Sequence, residues 1–165
     1  DIFYEVKKRK PNAILMLVGS GELEGDIKRK VRDLGLSGSV LFLGTRSDVA
    51  DLTQAMDVFI LPSHYEGLPL VAIEAQAAGL RTIVSDSVTN EVKVTNLVEF
   101  CSLTQSASEW AGHVHGFRET RDYERTNTDE VLRLAGHDIR VAAKELQKWY
   151  EKISEYKEVD HLSEG

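Results

Sequence analysis

Cysteine is almost absent from this chain of 165 residues: Cys101 is the only one, so no internal disulfide can form and no Cys-x-x-Cys or Cys/His cluster offers a metal site. A reducing setting, with Cys101 buried in a strand, is the expectation. Positive charge is also scarce. Lys and Arg number 20 against 27 Asp and Glu, a formal charge of -7, which argues against a nucleic-acid binder but leaves room for a small anionic ligand. No apolar run approaches the roughly 20 residues of a membrane span. Lys7-Lys8-Arg9-Lys10-Pro11 near the start does not read as a secretory leader. There is no internal repeat, no low-complexity tract, no Gly-x-x-x-x-Gly-Lys loop and no nucleophile elbow. The length suits one compact core, so a single soluble, intracellular domain over 1-165 is expected.

What remains is an alternation of short apolar runs with amphipathic segments, the pattern of a parallel sheet covered by helices. Asp1 to Lys10 reads as the tail of a helix. Strands are predicted over Ala13 to Val18, Val40 to Leu43, Val58 to Leu61, Thr82 to Val84 and within Leu97 to Leu103. Helices are predicted over Glu22 to Leu34, Val49 to Ala55 and Pro69 to Ala78, then Ser106 to Arg118 and Asp129 to Ile153, with a polar loop over Glu119 to Thr128 and a frayed end over Glu158 to Gly165. The fold class is therefore α/β, a doubly wound parallel sheet with helices on both faces. A helix feeding the first strand implies a parallel strand before it, so the chain reads as a fragment lacking that strand.

One segment concentrates the chemistry: Pro62-Ser63-His64-Tyr65-Glu66-Gly67-Leu68-Pro69-Leu70-Val71-Ala72-Ile73-Glu74-Ala75. It begins at the carboxyl end of a buried strand, where open α/β sheets bind ligands. Gly67 permits the positive φ of a tight turn, and Pro69 suits a first helical turn. The N-H groups from Leu70 and Val71 onward then lack intrahelical partners at the positive end of a helix dipole, which suits a phosphate. Glu66 precedes the helix and can face a ligand. Glu74 lies within the apolar run Leu70 to Leu80, so it occupies either the one solvated stripe of a buried helix or a shielded site whose carboxylate needs donors. A sugar diol would supply two.

Other features weigh less. Gly19-Ser20-Gly21 with Gly25 has the wrong spacing for a dinucleotide fingerprint, and the next strand ends Leu43-Gly44-Thr45 without an acidic residue for a ribose. A tight turn is expected there. His113 and His115 are two apart on a helix and diverge, so they form no metal pair. His64 is either a ligand contact or an exposed loop residue, and Trp110, Trp149 and Tyr150 are expected to anchor the carboxyl-terminal helices to the core.

These pieces together carry a resemblance. Leu41-Phe42-Leu43-Gly44, Met56-Asp57-Val58-Phe59-Ile60-Leu61-Pro62-Ser63, and Glu66 through Gly79 followed by the strand to Ser85-Asp86 resemble the donor-binding half of the group 1 (GT4-like) glycosyltransferases of the GT-B fold. The match runs from about Ala13 to Glu91 and is closest to the exopolysaccharide or capsule-type bacterial enzymes. Glu66 and Glu74 match the family's Glu-x7-Glu motif.

The resemblance implies a Rossmann-like half of a retaining enzyme that moves a hexosyl unit from a nucleotide-diphosphate sugar to an acceptor hydroxyl, in polysaccharide or glycolipid synthesis. It implies that Glu74 holds the ribose hydroxyls and that Glu66, the catalytic candidate, meets the transferred sugar. Gly67, Leu68, Leu70 and Val71 correspond to the turn and amides around the distal phosphate, and Thr45 and Arg46 to the loop that meets the base. Pro69 cannot donate where some relatives use an N-H. The family's Arg and Lys after its first strand have no match in Lys28, Arg29 or Arg46, and Ser87-Val88-Thr89-Asn90-Glu91 replaces a Gly-Gly pair before a glutamate. The acceptor sugar or glycolipid would bind an amino-terminal domain absent here, so these residues alone are expected to be inactive. No metal cofactor and no nucleic-acid partner are implied. The implied location is the cytoplasm, with peripheral association at the inner face of the membrane as an option. Two alternatives stay open: a GT-B-like sugar-nucleotide epimerase, and a non-catalytic nucleotide-binding or interaction module. A carboxylate-pair hydrolase fits less well, because Glu74 lies on a helix behind a phosphate-type turn.

Overall fold

A computed structural model describes residues 1-115 and 128-162. They belong to two compact units, Asp1–Thr126 and Asn127–Gly165. The described residues of the first unit hold five strands, β1 (Leu15–Val18), β2 (Val40–Gly44), β3 (Val58–Leu61), β4 (Arg81–Ser85) and β5 (Val98–Cys101). Its helices are α1 (Ile2–Arg9), α2 (Glu24–Asp33), α3 (Val49–Gln54), α4 (Leu70–Ala77) and α5 (Ala107–His115), with a 3-10 turn at Asn90–Val92. Every strand pairing is parallel, as the alternation predicts.

The ladder divides in two. β1 pairs with β2, and β3-β4-β5 form a second sheet in that order, so β1 and β3 each have one ladder partner. β4 is flanked on both sides and carries the core: Thr82, Ile83, Val84 and Ser85 are all buried. Helices cover this sheet on both faces. Alternation along β3 sends Phe59 toward Ala75, Ala78 and Leu80 behind α4, while Val58 and Ile60 join Ile83, Cys101 and Trp110 on the face covered by α5 and by Ile2 of α1. Arg9 reaches across to the Ser108 carbonyl and hydroxyl, both at 2.9 Å, which ties α1 to α5. Trp110 anchors α5 as expected, its indole N-H donating to the Ser102 carbonyl at 2.9 Å.

Cys101 is buried in β5. Burial, then the nearby charges of Glu99, Asp86 and Glu109, push its thiol up to about 11. On the same face a polar cluster escapes the sequence patterns: Glu99 accepts from Arg81 at 2.5 Å and meets His113 Nδ1 at 2.6 Å.

The second unit holds α6 (Asp129–Leu134) and α7 (Ile139–Leu162). The helical periodicity expected over Asp129 to Ile153 is divided between these two helices. Gly136 adopts φ +85 just after Leu134, a conformation that ends a helix, and Asp138 then accepts from the Arg140 N-H to start the next. Two aromatic expectations fail. Trp149 and Tyr150 are exposed and pack edge to face on each other at 5.1 Å, so neither is a buried anchor. α7 continues to Leu162 through much of the stretch expected to fray. Most of the predicted loop over 119-128, and Gly116 to Arg118 of the predicted fifth helix, lie outside the described residues. No helix among the described residues is long and apolar enough to cross a membrane.

Candidate functional site

The segment from Pro62 to Glu74 is built as a strand end, a loop and a helix start. β3 stops at Leu61 because the next residue is Pro62, which has no N-H to extend a ladder. The loop runs to Pro69, which caps α4 with extended backbone instead of entering its first turn. The Pro69 carbonyl accepts the Ala72 N-H at 3.0 Å. Among the described residues the N-H groups of Leu70 and Val71 find no acceptor, leaving two adjacent donors at the positive end of the helix. Pro69 itself is buried, whereas Leu70 and Val71 are 63% and 45% exposed, an unusual display for apolar residues at a helix start.

Glu66 is half-buried and held. Its Oε1 accepts the Ser63 hydroxyl at 2.8 Å, and the Ser63 carbonyl accepts the hydroxyl of the fully buried Ser85 at the end of β4. Gly67 does not take the expected positive φ; what it offers is open space, with nothing within 4 Å of where a Cβ would stand. Leu68 is exposed beside it, as are His64 and Tyr65.

Glu74 corrects the shielded-carboxylate reading. It is exposed, on a stripe of α4 with Leu70, Val71 and Ala77. The buried polar residue of this helix is Gln76, two positions on, where the periodicity turns inward with Ala72, Ile73 and Ala75. Its amide donates to the Ala72 and Val92 carbonyls, each at 2.9 Å, and its Oε1 accepts the Thr95 N-H at 3.0 Å and hydroxyl at 2.9 Å. Gln76 thereby fastens the loop carrying Glu91 to α4. A glutamine inside an otherwise apolar helix was the signal for it, the same signal that drew attention to Glu74.

Thr45 and Arg46 lie on another loop, at the end of β2. Gly44 takes φ +61 there, and its carbonyl accepts the Gly19 N-H at 2.8 Å. The Thr45 and Ser20 hydroxyls meet at 3.2 Å, so the loops after β1 and β2 form one corner. The Gly-Ser-Gly run is a turn, as expected, with Gly19 at φ +123. Arg46 pairs with Asp48 through two bonds of 2.7 and 2.5 Å, which raises the guanidinium pKa and lowers that of the carboxyl. No hydrogen bond joins this corner to the Glu66 loop among the described residues.

The family model described as glycosyl transferases group 1 matches residues 1–125. EpsF of Bacillus subtilis (strain 168) is 40% identical over 136 residues, covering 82% of this chain and 35% of its own length. An Escherichia coli UDP-Gal:alpha-D-GlcNAc-diphosphoundecaprenol alpha-1,3-galactosyltransferase is 42% identical over 87 residues, which are 52% of this chain and 22% of that protein. The chain thus spans about a third or less of these relatives. Among solved structures, sucrose-phosphate synthase from Thermosynechococcus elongatus superposes with a TM-score of 0.75 at 22% identity, over 94% of this chain and 42% of that one. Anabaena HepE in complex with UDP and glucose gives 0.71 at 20% identity, over 93% and 43%. Likeness at such identities speaks to the fold, which is that of GT-B glycosyltransferases. The family match over three quarters of the sequence supplies the rest: the chain belongs to the group 1 glycosyl transferases.

Proposed function

We propose that these residues are the donor-binding half of a retaining glycosyltransferase, which moves a hexosyl unit from a nucleotide-diphosphate sugar to an acceptor hydroxyl in polysaccharide or glycolipid synthesis. The observation that carries the reading is the start of α4. Two adjacent N-H groups, of Leu70 and Val71, lack acceptors among the described residues, directly after a loop that holds a glutamate. Such an end favours the distal phosphate, and it stabilises the charge that develops on the departing nucleoside diphosphate. The open space over Gly67 lets the phosphates approach the backbone beside Leu68. Glu66 offers a carboxylate oxygen to the sugar hydroxyls. Glu74, one turn into α4 on its exposed stripe, accepts from the ribose diol.

The backbone of the corner at Thr45 and Arg46 meets the base, while the Arg46 side chain stays paired with Asp48. The reaction needs no metal on this reading. The acceptor sugar or glycolipid binds a further domain, so the 165-residue chain alone binds donor without turnover. The working location is the cytoplasm, at the inner face of the membrane when the acceptor is a lipid.

Calorimetry with uridine and guanosine diphosphates tests the reading. Weak binding of one of them is expected, lowered about tenfold in Glu74→Ala, the scale of two lost hydrogen bonds. Because Glu74 is exposed, that variant keeps the wild-type stability. Absence of binding, or binding indifferent to Glu74→Ala, would overturn the proposal and favour an interaction module.

A further inference from the structure

The Glu66 loop is fixed by two serine hydroxyls that no part of the Glu-x7-Glu pattern includes. The β3-β4 ladder ends at the Leu61-Val84 rung. The next position on β3 is Pro62, which has no N-H, so backbone pairing cannot continue. Ser85, the next residue on β4, is fully buried and donates its hydroxyl past that gap to the Ser63 carbonyl. A buried hydroxyl without an acceptor is unfavourable, so this bond pins the base of the loop to the central strand. Ser63 then donates its own hydroxyl to Glu66 Oε1 at 2.8 Å. Among the described residues Oε2 of Glu66 has no hydrogen-bond partner. The carboxylate is thus half committed, with one oxygen held and one left over.

We propose that Ser85 and Ser63 form a positioning relay that holds Glu66 by one oxygen and presents the other to the hydroxyls of the transferred sugar. The inference rests on the reading of Glu66 as the sugar-facing carboxylate. The relay carries no proton. Its effect is rotameric: a glutamate free on an exposed loop samples several side-chain conformations, and holding it in one lowers the ordering needed when the sugar arrives. The relay therefore acts on the sugar increment of donor binding and leaves the nucleotide increment alone. Both hydroxyls are needed, because the first fixes the serine that fixes the carboxylate.

The test compares UDP with UDP-glucose, and GDP with GDP-mannose, by calorimetry on the wild-type chain and on Ser63→Ala, Ser63→Thr and Ser85→Ala. Three-bond couplings of the Glu66 side chain are measured by nuclear magnetic resonance in the same proteins. Ser63→Ala is expected to leave diphosphate binding within about twofold and to weaken nucleotide-sugar binding about three- to tenfold, the range for ordering one rotamer-rich side chain. The couplings should move from a single rotamer to averaged values. Ser63→Thr keeps the hydroxyl and restores both readouts. Ser85→Ala gives the same pattern, and adding Ser63→Ala to it weakens binding no further, as expected for two groups acting in series.

Equal weakening of diphosphate and nucleotide sugar in Ser63→Ala would mark a general loosening of the loop and overturn the relay. So would unchanged couplings. If no nucleotide or nucleotide sugar binds the wild-type chain, the donor reading fails by itself, while the couplings still decide whether Ser63 and Ser85 hold Glu66.

Discussion

The two sheets of the first unit have similar sequences and different surroundings. Leu15-Met16-Leu17-Val18 in β1 is as apolar as Val58-Phe59-Ile60-Leu61 in β3, and more apolar than Arg81-Thr82-Ile83-Val84-Ser85 in β4. Yet four of the five β4 residues are buried and none in β1 is, and α2, which follows β1, buries no residue at all. Apolar composition states what gains from burial; the partners a strand has state what gets buried. β4 has a strand on each side and helices on both faces. The Glu66 loop grows from this well-packed half, and Ser85, the last residue of its central strand, reaches up to hold it. A site that needs a carboxylate kept in one place is tied to the buried central strand.

The sharpest way to break this comparison is to empty equivalent volumes in the two halves. Ile83→Ala, at a position with no exposure, should destabilise the protein by about 3 to 4 kcal/mol in urea unfolding. Leu41→Ala in β2, where nearly half of the side chain meets water, should cost less than about 1.5 kcal/mol. Similar losses at both positions would mean that the β1-β2 half is as well covered in solution as the other.

This contrast also explains what the sequence could and could not tell. Parallel strands, the helix after Pro69 and the turn at Gly19 follow from local chemistry and stand where expected. Burial along α4 does not follow from composition, because almost every residue from Leu70 to Leu80 is apolar or small and any face could be the inner one. Glu74 drew the attention that belonged to Gln76 for that reason. Only the packing of α4 on Phe59 and Leu80, and of the Asn90–Val92 turn on α4, decides which polar side chain goes in. The commonest roles of Gly67 and Pro69 are positive φ and first-turn residue; here one serves by leaving space and the other by capping. Ser63 and Ser85 are 22 residues apart, and their bond depends on strand register, which no local pattern encodes. Trp149 and Tyr150 show the same limit on α7, where size suggested burial and both are exposed.

A smaller effect should appear only in the buried half. Burial disfavours the Glu99 charge, but hydrogen bonds from Arg81 and His113 outweigh it and lower the carboxyl pKa below its ordinary value. The contribution is present above the free-chain value of about 4.3 and is lost as pH falls through the lower folded value. Glu99→Gln should cost about 0.5 to 1 kcal/mol at pH 7, limited by solvent screening of a side chain that is 30% exposed. That difference should shrink as pH falls below the free-chain value and through the lower folded one, read from urea unfolding across an acid pH series. A difference that persists at low pH would assign the effect to packing rather than to charge.

The least change is expected on α2. Leu23 precedes that helix at the N-cap, is 68% exposed and makes no capping bond, so Leu23→Ser removes little burial and supplies a favoured cap. The two effects oppose each other, and stability should stay within about 0.5 kcal/mol of wild type, with any shift favourable. A loss above about 1.5 kcal/mol would show that Leu23 is covered in solution. A melting temperature that rises with protein concentration would mark that cover as a second copy of the chain. A concentration-independent melt with an unchanged midpoint leaves the apolar side chains of α2 in water, and with them the contrast between the two halves.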